Sequence, residues 1–403
     1  MYEDSFRVAD EGYFNGRVAA TRKNRETHWN NWCCYVSSLG VDPRLQDEPF
    51  IIRQRSLSGF AGLSRTGYYG MGKQVQTGTV SSAVTAIGQK ITLVCGINPT
   101  KMVGSDKMLP RLSEMYQGWA KEDPATSKKM PVEVDVPELM CEKGRHTSAT
   151  ELMKAVGDLA LIAFYYLLRV GEYTVKKGKK SSDKQTIQFR LKDVTFFKKN
   201  QHGQLRQLNR RDMAGIMTAD SATLKLDNSK NGWKGVCIHQ EENGEDWNCA
   251  IRALGRRYCS ILQQSGSLET YLSAFWVNGT RYDVCDEDIR KSIKLASVEL
   301  DYLHTRGIPE ELVDTHSLRA GGANALALAG YSDTQIQKMG RWRGKTFKEY
   351  IREQLACYSV GMSKDMKRRF GFVNIAGGVN SDVLVDVTNT MVVTEYDTSV
   401  SSE

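Results

Sequence analysis

The residues with the clearest chemical potential lie between positions 314 and 355, in the segment DTHSLRAGGANALALAGYSDTQIQKMGRWRGKTFKEYIREQL. His316 and Arg319 are three residues apart, so one turn of a helix can direct both side chains the same way. Trp342 and Tyr350 follow, and they are eight residues apart. A guanidinium binds phosphate oxygens, an indole N–H can donate to them, and a phenolic oxygen can attack phosphorus. The segment therefore predicts a site that holds a phosphodiester while a tyrosine attacks it.

Two further candidates come from earlier in the chain. Arg169 ends an otherwise apolar stretch that we expect to be helical, and a guanidinium there suits a phosphate. Glu172 follows three residues later, so an ordinary ion pair is the alternative. Lys230 precedes an Asn-Gly turn in SKNGWKG, where a hairpin tip would project its ammonium outward as a general acid. Lys234, across the same turn, competes for that role, and either lysine could simply be solvated.

Local patterns favour Tyr350 over Tyr358 as the nucleophile. Thr346 and Glu349 form a T-x-x-E capping box, which predicts Tyr350 in the first turn of a helix. A flexible loop before that helix would let the tyrosine swing. Tyr358 lacks the GRW sequence at a comparable distance behind it.

The helix before the GRW sequence has its own start and stop signals. Ser332 and Gln335 form a capping box, and Tyr331 can pack against Ile336 as a hydrophobic staple. Gly340 is expected to end this helix, because glycine readily adopts the left-handed conformation found at helix ends.

Three helical stretches predict a first domain over residues 22–121. Apolar residues recur at helical intervals from Arg22 to Leu39. Thr79 can cap a second helix that displays one apolar face, made of Val80, Val84, Ile87 and Ile91. A third helical stretch covers 112–120. Residues 1–21 show no sustained period and are expected to be a loose arm. The three prolines within 121–140 predict an extended segment, so we assign 122–147 as a linker.

A second domain is expected over residues 148–370, followed by an acidic tail at 371–403. It begins with a helix over 148–170, and alternation then predicts a small antiparallel sheet before helical periods resume. The expected strands are Thr186–Lys198, Ala222–Leu226 and Gly235–His239, and the expected helices are Cys249–Leu262 and Asp286–Leu303. The fold class is therefore predominantly α with a small antiparallel β-sheet (α+β).

Charge favours a polyanionic partner. The chain of 403 residues has a formal net charge of +8, and the part up to residue 369 carries 55 minus 42, or +13. The nine cysteines show no CxxC spacing and are expected to be reduced thiols in an intracellular protein. The longest apolar run has ten residues, too short to cross a bilayer.

The order of these motifs resembles the tyrosine recombinase (phage integrase) family. The matching residues stand in LLRVGEY, NSKNG, THSLRAGG, MGRW and FKEYI, across residues 148–358. Residues 22–120 are similar, more loosely, to the helical core-binding domain that closes over DNA in that family, which implies a two-domain DNA clamp. HSLRAGGA followed by GRW and then tyrosine looks most like the eukaryotic mobile-element branch, the Crypton and DIRS-like recombinases. Such a protein would act in the nucleus.

The resemblance implies a cycle without metal, ATP or another cofactor. Tyr350 would attack a phosphate of double-stranded DNA, giving a 3′-phosphotyrosine and a 5′-hydroxyl. The phosphate would be held by Arg169, Arg319 and Trp342, and Trp342 stands where histidine is commoner. Lys230 would protonate the leaving oxygen and His316 would assist the tyrosine, with Glu172 as the acidic residue that supports the histidine. Four protomers would act together on paired sites, and the acidic tail could dock on a neighbour.

Other functions fit less well. Gly340 and Gly344-Lys345-Thr346 leave three residues between the glycines where a Walker loop needs four. The sequence GLSRTG at 62–67 lacks the second glycine of an esterase elbow, and the six histidines show no zinc spacing. Two alternatives stay open: a type IB topoisomerase-like enzyme, and a domesticated DNA-binding protein without catalysis.

Overall fold

The fold is predominantly helical with small antiparallel sheets, as expected from the sequence. A computed structural model describes residues 2–16, 19–124, 129–176, 186–227, 234–344 and 348. Apolar side chains between Trp32 and Tyr116 form one buried cluster, and a larger cluster extends from Val132 to Leu318. Across these ranges, no helix is both long and apolar enough to cross a membrane. The domain boundaries given above stay a prediction.

Five helices precede the first large gap in the described chain. They are α1 (Tyr2–Asn15), α2 (Ala19–Ser38), α3 (Phe50–Arg65), α4 (Thr77–Cys95) and α5 (Pro110–Glu122). The expected apolar face of α4 is confirmed, because Val80, Val84, Ile87 and Ile91 are all buried. Helix α1 occupies part of the expected arm, where a polar sequence gave no helical period. Helix α3 was not predicted.

The expected cap at Thr79 is wrong. Helix α4 begins at Thr77, whose backbone N–H donates to the Asp123 carboxylate at 2.8 Å. Asp123 directly follows α5, and it also pairs with Arg65 of α3. These two contacts hold the pKa of Asp123 below its ordinary value, the bond from Thr77 first. A carboxylate 46 residues away therefore accepts the hydrogen bond of the first backbone N–H of the helix, and no local sequence pattern reveals this contact.

The extended segment expected over 121–140 is also partly wrong, because α6 (Asp135–Arg145) begins inside it. Pro137 is the third residue of α6, and proline is tolerated in the first turn of a helix. Helix α6 packs along α7 (Glu151–Tyr165), and a Cβ on Gly157 would lie 2.6 Å from the Met140 carbonyl oxygen. The close approach of α6 to α7 therefore requires glycine at position 157.

Helix α7 is the centre of the larger core. Thr150 caps it by accepting from the Met153 N–H at 3.2 Å, and ten of its residues are buried. The later helices are α8 (Val170–Tyr173), α9 (Met213–Met217), α10 (Ala250–Gln263), α11 (Asp286–Glu299), α12 (Tyr302–Arg306), α13 (Thr315–Leu328) and α14 (Asp333–Gly340).

Four antiparallel strands form the main sheet, in the order β2-β1-β3-β4. They are β1 (Val194–Lys199), β2 (Leu205–Gln207), β3 (Ser221–Lys225) and β4 (Cys237–Glu241). The expected antiparallel sheet is confirmed, although its first strand begins later, after a 3₁₀ turn at Leu191–Asp193. Leu224 of β3 pairs with both Val194 and Ile238, so β3 is central.

A second hairpin, β5 (Ala274–Val277) with β6 (Thr280–Asp283), was not predicted. Its turn is Asn278-Gly279, and both residues have positive φ, at 50° and 77°. An Asn-Gly pair between short apolar and polar runs is a strong hairpin signal, so this element could have been found from the sequence.

Candidate functional site

The chain reverses sharply after α7, and this reversal carries Arg169. Leu167 is buried and adopts the left-handed conformation, with φ of 49°. Arg169 itself is extended (φ −84°, ψ 143°) and directly precedes α8. The expectation that Arg169 ends the long helix is therefore wrong. It caps the next, short helix, because the left-handed residue has already turned the chain away from α7.

Glu172 joins two arginines. Its carboxylate accepts from the Arg169 backbone N–H at 2.9 Å and from Arg169 Nη1 at 3.2 Å. Its second oxygen also accepts from Arg341 Nη2 at 2.9 Å. Glu172 is fully buried, whereas the Arg169 side chain is 21% exposed. The predicted ion pair between Arg169 and Glu172 thus exists, and a second cation shares it. The expected support of His316 by Glu172 stays a prediction.

Sequence reasoning missed Arg341, the middle residue of GRW. Its side chain is buried and donates to the carbonyls of Tyr166 at 3.2 Å and Leu167 at 3.1 Å, besides Glu172. Burial lowers the pKa of the guanidinium, and Glu172 opposes that effect. Arg341 also has the left-handed conformation, with φ of 57° and ψ of 42°. This position follows the end of a helix, where glycine is usual in the left-handed conformation. The arginine found there was the one local signal that the side chain has a special role.

Gly340 does not end α14 in the expected way, since it is the last helical residue and Arg341 takes the left-handed position. The glycine has another reason to be there. A Cβ on Gly340 would overlap the ring of Trp342. The Ser332–Gln335 capping box at the other end of α14 is confirmed, with the Ser332 N–H donating to Gln335 Oε1 at 2.9 Å.

Helix α13 brings the H-x-x-R motif to the end of α7. Asp314 caps the helix and pairs with Arg290 at 3.1 Å. The two glycines that follow the arginine allow close packing. A Cβ on Gly321 would overlap the Val132 carbonyl, and one on Gly322 the Phe164 carbonyl. The motif THSLRAGG thus combines a cap, two chemical side chains and a close helix contact.

Arg319 is 1% exposed and lies under the GRW turn. It donates to the carbonyls of Leu167 and Gly340, and its guanidinium carbon lies 4.4 Å from the ring centroid of Trp342. Trp342 is 7% exposed and packs with Leu167 and Ile336 in a small apolar cluster. The Leu167 carbonyl is an acceptor shared by Arg319 and Arg341.

His316 is exposed on the first turn of α13. Partial desolvation lowers its pKa from 6.5, and the nearby cations Arg319 and Arg169 lower it further, while Asp314 opposes them. The imidazole is therefore mainly neutral near pH 7 and can accept a proton. Both arginines that the sequence singled out are thus near enough to His316 to affect its protonation.

The remaining candidates are described only in part. Lys230, Tyr350 and Tyr358 lie outside the described residues, as does the Thr346–Glu349 capping box. The strands β3 and β4 that flank Lys230 pair with each other, as the predicted hairpin requires. Lys234 is exposed just before β4.

Comparisons with known proteins give distant structural likenesses. No protein-family model and no curated protein matches the chain. A variant of the Tn1549 transposon integrase in complex with transposon right end DNA aligns over 77% of this chain and 84% of its own, with TM-score 0.39 and 12% identity. Another variant of that integrase, in complex with a circular intermediate DNA, aligns over 79% of this chain and 86% of its own, with TM-score 0.38 and 11% identity. XerA recombinase aligns over 90% of this chain and 98% of its own, with TM-score 0.34 and 13% identity. Likeness at this level does not assign a function to this chain.

Proposed function

We propose that this protein is a site-specific DNA recombinase that cuts and rejoins DNA through a 3′-phosphotyrosine intermediate, without metal or ATP. One observation carries the proposal. Arg169, Arg319 and Arg341 meet around two shared acceptors, the Leu167 carbonyl and the Glu172 carboxylate. The three arginines and Glu172 have a formal charge of 3 minus 1, or +2. Such a group suits a phosphodiester, whose charge is negative.

The arginines differ in how they can reach that phosphate. Arg169 keeps part of its side chain exposed, so it can donate to a phosphate oxygen in the observed conformation. Arg319 is buried and donates to the Gly340 carbonyl. To bind the phosphate, it would have to release that carbonyl and donate to a phosphate oxygen instead, which requires the turn at Trp342 to move. Trp342 would then offer its indole N–H to the same phosphate. Arg341 touches no substrate in this scheme and positions Glu172.

Proton transfer requires three further side chains. We assign His316 to assist removal of the proton from Tyr350, because its lowered pKa favours the neutral ring. Lys230 would protonate the leaving 5′-oxygen from the hairpin between β3 and β4. A hydroxyl from another strand would then attack the phosphotyrosine, release the tyrosine and rejoin the DNA.

The proposed partners are double-stranded DNA and further copies of the same chain, four at synapsis. The charge of +13 up to residue 369 supports a nucleic-acid partner. Placement in the eukaryotic mobile-element branch, and hence action in the nucleus, rests on the HSLRAGGA and GRW motifs alone.

The decisive experiment is to trap DNA covalently on the protein. Covalently bound DNA is recovered from cells that express the chain, and its ends are sequenced to identify the site. On that DNA, Tyr350→Phe is expected to bind normally and to form no adduct, while the matched variant Tyr358→Phe still forms one. An adduct that survives Tyr350→Phe would overturn the assignment.

A 5′-sulfur leaving group tests the general acid, because sulfur leaves with little need of a proton. Cleavage by Lys230→Ala should be lost on normal DNA and recovered on the sulfur substrate. Lys234→Ala serves as the matched control across the turn and should cleave both. If Lys234→Ala shows the rescue instead, the proton comes from Lys234. Supercoil relaxation on DNA with a single site, and no strand exchange between sites, would favour a topoisomerase.

A further inference from the structure

A cavity of about 190 Å³ lies beside the amino-terminal half of α7, away from the candidate functional site. Three of its lining residues, Glu151, Lys154 and Asp158, belong to α7, and helices α6 and α10 supply others. Arg169 of the candidate site lies beyond Tyr165, the last residue of α7, which is about 21 Å from Glu151 along the helix axis at 1.5 Å per residue. One water molecule needs roughly 10–15 Å³ of cavity, so this cavity has room for a group of several oxygen atoms.

Trp247 positions two arginines at this cavity. The guanidinium carbon of Arg145 lies 4.8 Å from the ring centroid of Trp247, and that of Arg256 lies 4.2 Å from it. Arg256 also donates to the Trp247 carbonyl at 3.2 Å and to Cys141 Sγ at 3.4 Å. Because the face of an indole ring attracts cations, these contacts hold both guanidinium groups at the lining of the cavity. Arg145 is nevertheless exposed, so its N–H groups can reach a ligand.

Positive charge exceeds negative charge around the cavity. Six of its lining residues are charged, namely Arg145, Lys154, Arg256, Arg257, Glu151 and Asp158. Their formal charge is 4 minus 2, or +2, and Cys141 adds none, because burial raises the pKa of its thiol to about 12. Each acid already has a basic partner, since Asp158 pairs with Arg256 at 2.6 Å and Glu151 pairs with Lys154 at 2.7 Å. Within the described ranges, Arg145 and Arg257 form no salt bridge.

The basic residues around the cavity can contribute to binding in different ways. Arg257 is 3% exposed and donates to the carbonyls of Leu272, at 3.2 Å, and Ala274. Its charge therefore adds to the potential in the cavity, although part of its guanidinium is already bound. Arg145 can direct two parallel N–H groups at a ligand, and such a fork suits an oxyanion. The side chains of Lys154 and Glu151 are 49% and 43% exposed, so their pairing is weak and the ammonium can also turn to a ligand.

We propose that this cavity binds a phosphate monoester group or inorganic phosphate, at a site separate from the proposed strand cleavage. The phosphate dianion carries a charge of about −1.5 to −2 near pH 7, which matches the charge of the lining. A carboxylate or a phosphodiester of the DNA backbone carries only one negative charge and matches it less well. Arg145 and Lys154 would donate to the phosphate oxygens, and Trp247 would keep Arg145 in place. This inference does not rest on the proposed function.

The test is isothermal titration calorimetry of the full-length chain with inorganic phosphate, at fixed ionic strength and about pH 8, where the dianion predominates. Arg145→Ala should weaken binding by about tenfold or more, because it removes charge-assisted hydrogen bonds. Lys143→Ala is the matched control, since Lys143 lies in the same helix, pairs with Glu299 and does not line the cavity. Glu151→Gln should tighten binding by about threefold or more, because it removes a negative charge beside the dianion. A merely structural role of Glu151 would not produce tighter binding.

Parallel titrations identify the ligand. Both AMP and inorganic phosphate carry the dianion, so tighter binding of AMP would indicate a nucleotide and tighter binding of phosphate the free ion. Either result supports the proposed site. Acetate that binds as tightly as phosphate would overturn the assignment to a phosphate group. The proposal would also fail if neither phosphate compound bound at concentrations up to about 10 mM, or if Arg145→Ala and Lys143→Ala weakened binding equally.

Phosphate could also bind at the candidate functional site, and Arg169→Ala tests that alternative. This variant should bind phosphate at the cavity as the wild-type chain does. Binding that is lost in Arg169→Ala and unchanged in Arg145→Ala would locate the phosphate at the candidate site and overturn the proposal. Arg145→Ala and Glu151→Gln keep the residues proposed for strand cleavage, so adduct formation tests that chemistry separately.

Discussion

Removal of the Glu172 carboxylate tests whether the buried ion pair organises the candidate site. In Glu172→Ala, Arg169 and Arg341 both lose their charged partner. The consequences differ, because the Arg169 side chain is 21% exposed and can turn toward water, whereas the Arg341 side chain is 2% exposed and cannot. The variant therefore leaves one guanidinium buried without its carboxylate.

The size of the effect follows from that burial. Breaking a buried ion pair by removing one partner destabilises a protein by roughly 3–5 kcal/mol, because the remaining charge stays desolvated. An exposed pair contributes about 0–1 kcal/mol. Lys143 and Glu299 form such a pair, with side chains 38% and 53% exposed. Glu299→Ala is thus the matched control, since it removes the same side chain from a salt bridge on the surface.

Urea unfolding followed by circular dichroism measures both variants. We expect Glu172→Ala to lower the free energy of unfolding by several times the effect of Glu299→Ala. A double variant, Glu172→Gln with Arg341→Met, removes both charges while keeping similar volumes. It should be more stable than the sum of its single variants predicts, by about 1–3 kcal/mol of coupling. Equal effects of Glu172→Ala and Glu299→Ala, or strict additivity in the double variant, would refute the reasoning.

Three further results are expected around the same turn. Gly340→Ala should destabilise the fold by about 1–3 kcal/mol in thermal unfolding, because its Cβ overlaps the Trp342 ring, while Gly344→Ala, where no atom lies within 4 Å, should change little. The single-turnover rate of adduct formation should rise with pH with its midpoint below 6.5, because the pKa of His316 is lowered from that value and the neutral ring is the base; an inflection above 6.5 that persists in His316→Gln would contradict its role. Trp342→Phe should keep most of the stability and still lose adduct formation, since phenylalanine fills the pocket without an N–H donor. Unchanged adduct formation would remove Trp342 from the proposed site.

Elements governed by short-range patterns were the ones that sequence could predict. The apolar face of α4 and the capping box of α14 depend on residues a few positions apart, and β3 pairs with β4, the next strand along the chain. Errors arose where distant groups intervened. Asp123, 46 residues from Thr77, supplies the start of α4, and Glu172, 169 residues from Arg341, binds the arginine that sequence reasoning missed.

The sequence by itself determined the helical class of the fold, the small sheet, and the candidate residues Arg169, Glu172, His316 and Arg319. Residue type and spacing carry that information, because they specify charge and helix face. Only the tertiary structure decided how these groups meet. The left-handed Leu167 turns its carbonyl toward two arginines, and Arg341 joins the GRW turn to Glu172 across 169 residues of sequence. A buried cation needs hydrogen-bond acceptors, and the packed chain supplies them from positions that are distant in sequence. The spacing of neighbouring residues therefore does not predict which acceptors it finds.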